Sequence, residues 1–179
     1  MNTNEKNWSK TLLSSYTYLE TICGAIDKTV LNYGVNSAMN TDAEFVANKM
    51  IALTQRKKFL INTKILIDNI LSRLDNDFSR ILVLKFVDKI KAESASKILN
   101  MSLRTYFRKI NIALEKFTNL LVGFGYNATK LGTIFQDEDW VMEMYNNFSK
   151  SEVREIDADD LRFLGMALRT LKRKTASAY

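Results

Sequence analysis

No proline occurs anywhere in the 179 residues, and there are only six glycines. Proline deletes a backbone donor and clashes inside a helix, and glycine supplies the left-handed backbone of tight turns. A chain poor in both lacks the punctuation of turn-rich folds, so long helices with short connections are expected. Hydrophobic residues make up 46% of the chain, which suits a packed core rather than disorder. The length fits one or two small domains. The predicted fold class is all-α, a helical bundle with one long central helix.

Apolar spacing places the helices. Leu12, Tyr16, Leu19, Cys23, Ile26 and Val30 recur at three- and four-residue steps, which predicts a first helix from about Trp8 to Tyr33. Gly34 to Asn40 reads as its connection. Thr41 or Asp42 is suited to cap a second helix reaching Leu74. Met50, Leu53, Leu60, Ile67, Leu71 and Leu74 form its main seam, and Ile51, Phe59, Ile61, Ile65 and Ile70 widen it. A helix apolar on several sides needs several partners, so this one is expected at the centre. Its seam fits either a core within the chain or a homodimer. Lys57 and Lys64 interrupt the spacing and favour the core.

Asp75-Asn76-Asp77 breaks this helix, and a strongly apolar helix from Asp77 to Val87 follows. Next comes a short helix from Glu93 to Leu99, then Asn100-Met101-Ser102, then a helix that Gly123-Phe124-Gly125 ends. Ala95 and Ser96 are small enough for close approach, and Ile98 and Leu99 are expected to turn inward. Asn100 tolerates a left-handed backbone, Met101 plugs the turn, and Ser102 is a good N-cap. This is the pattern of a helix-turn-helix. Ala128 to Lys150 reads as one or two short helices, with Phe135, Trp140, Met144 and Phe148 on one face. A last helix is expected after a cap within Asp157 to Asp160, followed by a frayed tail from Thr175 to Tyr179. Three regions result: 1–72 as an N-terminal helical region, 73–122 as the helix-turn-helix module, and 123–179 as a C-terminal helical region, acidic and then basic.

Charge follows this division. The net charge is +6. Residues 73–116 hold ten basic and five acidic side chains, whereas residues 117–160 hold three basic and nine acidic ones. A basic helix-turn-helix suits phosphate contact, and the acidic block must face away from a polyanion.

In the second helix of the unit, Tyr106, Ile110, Ala113, Leu114 and Phe117 repeat at the helical period and point inward. The opposite side carries Leu103, Arg104, Thr105, Arg108, Lys109 and Ile112. Reading helices touch base edges with their N-terminal residues. Arg104 and Arg108, one turn apart, suit guanine O6 and N7. Thr105 suits a thymine methyl or a phosphate, and Ser102 and Lys109 suit phosphates. Arg80, Lys89, Lys91 and Lys97 add cations from neighbouring segments.

The run SRILVLKFVDKIKAESASKILNMSLRTYFRKINIALEKF, within Leu74 to Phe117, resembles region 4 of bacterial sigma factors and related phage and bacterial regulators. Arg80 to Leu84 resembles the support helix, Ile98 to Ser102 the turn, and Leu103 to Ile110 the reading helix. Asn100 stands where that family usually has glycine, and Ala95 where it has a larger aliphatic residue. The resemblance implies promoter-type duplex DNA as ligand and RNA polymerase as a second contact. It extends over residues 74–117 alone, which fits a regulator built around the module rather than a complete sigma factor.

Other chemistry has little material. The chain has no histidine and one cysteine. The usual general base, a Ser-His-Asp triad and a Cys/His zinc site are thereby excluded within one chain. No phosphate-loop or dinucleotide motif occurs. Cys23, in an apolar context, reads as a buried inert thiol. Asp137, Glu138, Asp139 and Glu143 cluster, and Asp139 with Glu143 has the spacing to share Mg²⁺. Acids favoured by a helix N-terminus are the simpler reading. The basic end, Arg169 with Lys172 to Lys174, suits phosphate, anionic lipid or an acidic protein, or only its own helix terminus. No apolar run has bilayer length, and MNTNEKNWSK lacks the features of a signal peptide. A cytoplasmic, non-enzymatic, sequence-specific DNA-binding transcriptional regulator without cofactor or metal is therefore expected. The alternative is a helical adaptor or inhibitor whose acidic face binds a basic protein.

Overall fold

The computed structural model describes residues 2–36, 42–150 and 160–176. All regular structure among them is helical. The helices are α1 (Thr3–Asn36), α2 (Ala43–Ser72), α3 (Asn76–Leu82), α4 (Ala92–Ile98), α5 (Leu103–Gly123), α6 (Ala128–Phe135), α7 (Asp139–Lys150) and α8 (Asp160–Ala176). A π-helical turn, Val83–Val87, continues α3. Among the described residues no helix is long and apolar enough to cross a membrane. The residues expected to cap the last helix at Asp157 to Asp159, most of the connection after Gly34, and the end of the tail lie outside the described residues.

The caps follow from local chemistry. Asp42 accepts a hydrogen bond from the Glu44 backbone N–H at 3.0 Å and starts α2. Asn127 accepts from Lys130 N–H at 2.9 Å and starts α6. Each side chain satisfies one backbone donor that the first helical turn leaves unpaired.

The long central helix is α1, not α2 as the apolar spacing suggests. It packs against α2, α5, α6, α7, α8 and the π-turn. Trp8, Leu12, Leu13, Leu19, Ile22 and Ile26 are buried along it. So are Ser9, Thr11 and Ser15, whose hydroxyls bond to Glu5, Asn7 and Leu12 carbonyls of the same helix. Ser9 Oγ also lies 2.9 Å from Thr118 Oγ1 of α5, where the two helices meet. Small hydroxyls satisfied in this way are buried at little cost, and the buried face of α1 is therefore wider than its apolar stripe.

Helix α2 lies along α1 and buries Leu53, Leu60, Ile67, Ile70, Leu71 and the following Leu74. Lys57 and Lys64, which interrupt its apolar spacing, pair with Asp27 at 2.6 Å and Glu20 at 3.1 Å of α1. Ile51, Ile61 and Ile65, expected to add core surface, are instead exposed. The C-terminal helices close the other side of α1. Trp8 stacks on Tyr145 and Phe135, with ring centroids 4.4 and 5.7 Å away. One apolar core spans α1, α2, α3, α5, α6, α7 and α8.

A second, smaller core holds Ile81, Leu84, Ala92, Ala95, Tyr106 and Ile110, with Ile90, Leu99 and Met101 packed against it. It joins α3, the π-turn, α4 and α5, and it fixes how α4 sits on α5.

Candidate nucleic-acid interface

Two left-handed residues shape this unit. Asn100 has φ +50°, directly after the end of α4. Its N–H bonds to Lys97 O at 3.1 Å, and Met101 N–H bonds back to Ser96 O at 3.0 Å. This is a Schellman closure with asparagine where glycine is usual. At the end of the π-turn, Lys89 has φ +53° and Ile90 N–H bonds to Leu84 O at 2.9 Å. The two reversals deliver Ile90 and Met101 into the small core. By contrast, α5 ends with a glycine in this role: Gly125, φ +81°, bonds to Val122 O, and Tyr126 N–H bonds to Leu121 O.

Ser102 caps α5. Its Oγ accepts from Thr105 N–H at 3.2 Å and lies 2.9 Å from Thr105 Oγ1. The turn Leu99 to Ser102 therefore joins two helices whose relative placement is set by Ala95, fully buried, and Tyr106, also fully buried. Alanine at that point lets the backbones approach. Leu99 packs inward as expected, but Ile98 does not: it is 45% exposed. The Schellman reversal takes Leu99 and Met101 inward and leaves Ile98 on the outer side of α4.

The outer side of α5 carries Arg104 and Arg108, both exposed. No hydrogen bond or ion pair to another described residue engages either guanidinium. Lys91, immediately before α4, and Lys97, in its last turn, are likewise exposed and unpaired among the described residues. Arg80 is exposed on α3. The expected group thus divides into free cations and engaged ones. Lys109 is half-buried and bonds Asp77 at 3.3 Å, while Lys116 bonds Asp75 at 2.7 Å. That hydrogen bond from Lys116 holds the Asp75 carboxyl below its ordinary pKa. Lys89 turns away to α1, where its Nζ donates to Tyr18 Oη at 2.7 Å. Ser102 and Thr105 satisfy each other at the cap. The Asp75 and Asp77 side of α5 is thereby neutralised, and free positive charge is concentrated around Arg104 and Arg108.

Apolar groups accompany those arginines. Leu103 is 39% and Phe107 44% exposed. They are four residues apart, hence neighbours on the helix surface. Phe107 meets the buried Tyr106 ring edge-on, centroids 5.9 Å apart. The sequence pattern places Leu103 on the outer side and assigns Phe107 to neither side.

Two of the clustered acidic residues, Glu138 and Glu143, have structural partners. Glu138 is buried against Arg56, and Trp140 Nε1 donates to its Oε2 at 2.8 Å. Glu143 pairs with Arg162 of α8. A dipole-favoured surface acid is thus the wrong description of Glu138. Arg169, in the basic end, donates to Gly165 O of its own helix at 3.1 Å. Cys23 is half-buried, with Sγ 4.0 Å from Lys57 O, and burial pushes its thiol pKa up.

No protein-family model, no curated protein and no solved structure matches the chain.

Proposed function

We propose that α4, the Asn100 turn and α5 form a helix-turn-helix that binds double-stranded DNA sequence-specifically, and that the protein is a transcriptional regulator. The observation that carries this reading is the exposed, unpaired pair Arg104 and Arg108 near the N-terminus of α5. Guanidiniums one turn apart on an outward face match the geometry of guanine readout, and a buried small core behind them supplies the rigidity such readout requires. Lys91, Lys97 and Arg80 supply phosphate contacts. Lys109, Ser102 and Thr105 join them where the duplex competes with their present partners. The resemblance of residues 74–117 to sigma region 4 supports promoter-type DNA and contact with RNA polymerase.

A second reading, a helical adaptor without DNA binding, is favoured by the exposed Ile51, Ile61 and Ile65 of α2, which suit a protein partner. The same surface serves a regulator that contacts polymerase or a second copy of itself.

Titration of a labelled duplex at several salt concentrations separates the two readings. The regulator binds with affinity that falls steeply with salt and is lost in Arg104→Ala/Arg108→Ala. An adaptor leaves the duplex free at every salt concentration.

A further inference from the structure

Leu103 and Phe107 are unusual company for two reading arginines. Exposed apolar side chains scattered singly need no explanation. Here two large ones lie side by side on α5, bordering Arg104 and Arg108. On a helix at 100° per residue, Leu103 and Phe107 are 40° apart, and the arginines continue round the same outer surface at about 100° and 140°. An apolar strip and a cationic strip therefore run in parallel. Both side chains of the apolar strip are exposed, Leu103 at 39% and Phe107 at 44%. Phe107 lies edge-on to the buried Tyr106 ring.

We infer that Leu103 and Phe107 read the 5-methyl groups of thymines next to the guanines contacted by Arg104 and Arg108. This rests on the DNA-binding reading and specifies its ligand: a site in which G and T neighbour each other. Charge complementarity selects the occupant. The strip is bordered by unpaired cations, and the one acid of α5, Glu115, is two turns beyond Phe107. A polyanion carrying methyl groups in its groove suits both halves. Thymine is the one ordinary DNA base with a methyl in the major groove, and contact with Leu or Phe buries it. Ile98, on the outer side of α4, is a further exposed apolar side chain of the unit.

The test replaces thymines of the best-bound duplex one at a time by deoxyuridine, which lacks only the methyl group. Binding of the wild type and of Leu103→Ala/Phe107→Ala is compared by anisotropy. The wild type should weaken about fourfold for each contacted methyl, the factor that burial of one such carbon corresponds to. The variant should bind thymine and uracil duplexes equally, while Phe107→Leu keeps part of the discrimination. An equal response of wild type and variant would assign the effect to duplex shape and overturn the inference, as would no response in either. Sequence-specific binding with no uracil effect removes the methyl contact and leaves the DNA reading standing. No binding to any duplex removes both.

Discussion

Arg56 and Glu138 meet inside the core through two parallel hydrogen bonds, Nε to Oε1 at 2.6 Å and Nη2 to Oε2 at 2.7 Å. Eighty-two residues separate them, and Trp140 completes the carboxylate's partners. The pair ties α2 to the start of α7, so the C-terminal helices are anchored to the N-terminal hairpin by a desolvated charge. Removal of one partner leaves the other charged and buried, which costs about 3–5 kcal/mol.

Glu138→Ala is accordingly expected to lower the unfolding free energy by about that amount in denaturant titration. Arg56→Met/Glu138→Gln should recover most of the loss. It removes the second charge and keeps an acceptor for Trp140, and it also deletes Arg56 Nη1, which has no hydrogen-bond partner among the described residues. A single mutant within experimental error of the wild type would show that the pair does not form.

Asn100 predicts the sign of two substitutions. At φ +50° an asparagine is tolerated and a β-branched residue is not. Asn100→Gly should match or slightly exceed the wild-type melting temperature. Asn100→Val should destabilise by about 1–2 kcal/mol and reduce DNA affinity, because the turn sets α4 on α5. Thermal melts of the three proteins check the order.

Tyr16 gives a pH dependence. Burial, and then the hydrogen bond from its hydroxyl to Asp68 at 2.7 Å, raise its pKa from 10.0 to about 12. The charged form is disfavoured in the fold, so the contribution is complete below the unfolded value and is lost as pH rises through the folded one. The stability difference between wild type and Tyr16→Phe should be constant at neutral pH. It should shift against the wild type between pH 10.0 and about 12. Melting curves of both proteins across that range test it, and parallel curves would contradict it.

Lys91 and Lys97 predict a salt effect. If each holds one phosphate, replacement by alanine should weaken all duplexes alike and reduce the slope of log K against log salt by about 0.9 per residue. Arg104→Ala should instead relax base preference, by about 1–3 kcal/mol at one position. Affinities on matched and mismatched duplexes over a salt series distinguish the two kinds of contact.

Much of the architecture is legible in residue spacing. Missing proline, periodic apolar positions and the caps Asp42 and Ser102 suffice to locate the long helices and the α4–α5 turn, and asparagine at position 100 announces its left-handed backbone. What spacing cannot express is which apolar stripe meets which. Apolar spacing makes α2 look central, and the reason that α1 takes this place lies in the buried hydroxyls of Ser9, Thr11 and Ser15, which read as polar in sequence. The π-turn has no compositional mark, and with it the left-handed Lys89 and its inward swing to Tyr18 escape notice. Glu138 hides in an acidic run, because burial of a carboxylate depends on an arginine 82 residues away. Within the candidate site, periodicity picks out Arg104 and Arg108 as outward-facing. It does not separate them from Lys109, whose partner Asp77 comes from another helix.

In the proposed function, α5 reads a DNA sequence through Arg104 and Arg108. Selection from a random duplex pool, run in parallel with the wild type and with Arg104→Ala/Arg108→Ala, measures this readout. An enriched motif containing guanines is expected for the wild type and none for the variant, with unchanged melting temperature because both side chains are exposed. No enrichment by a folded wild type at low salt, or the same motif from both proteins, would contradict it.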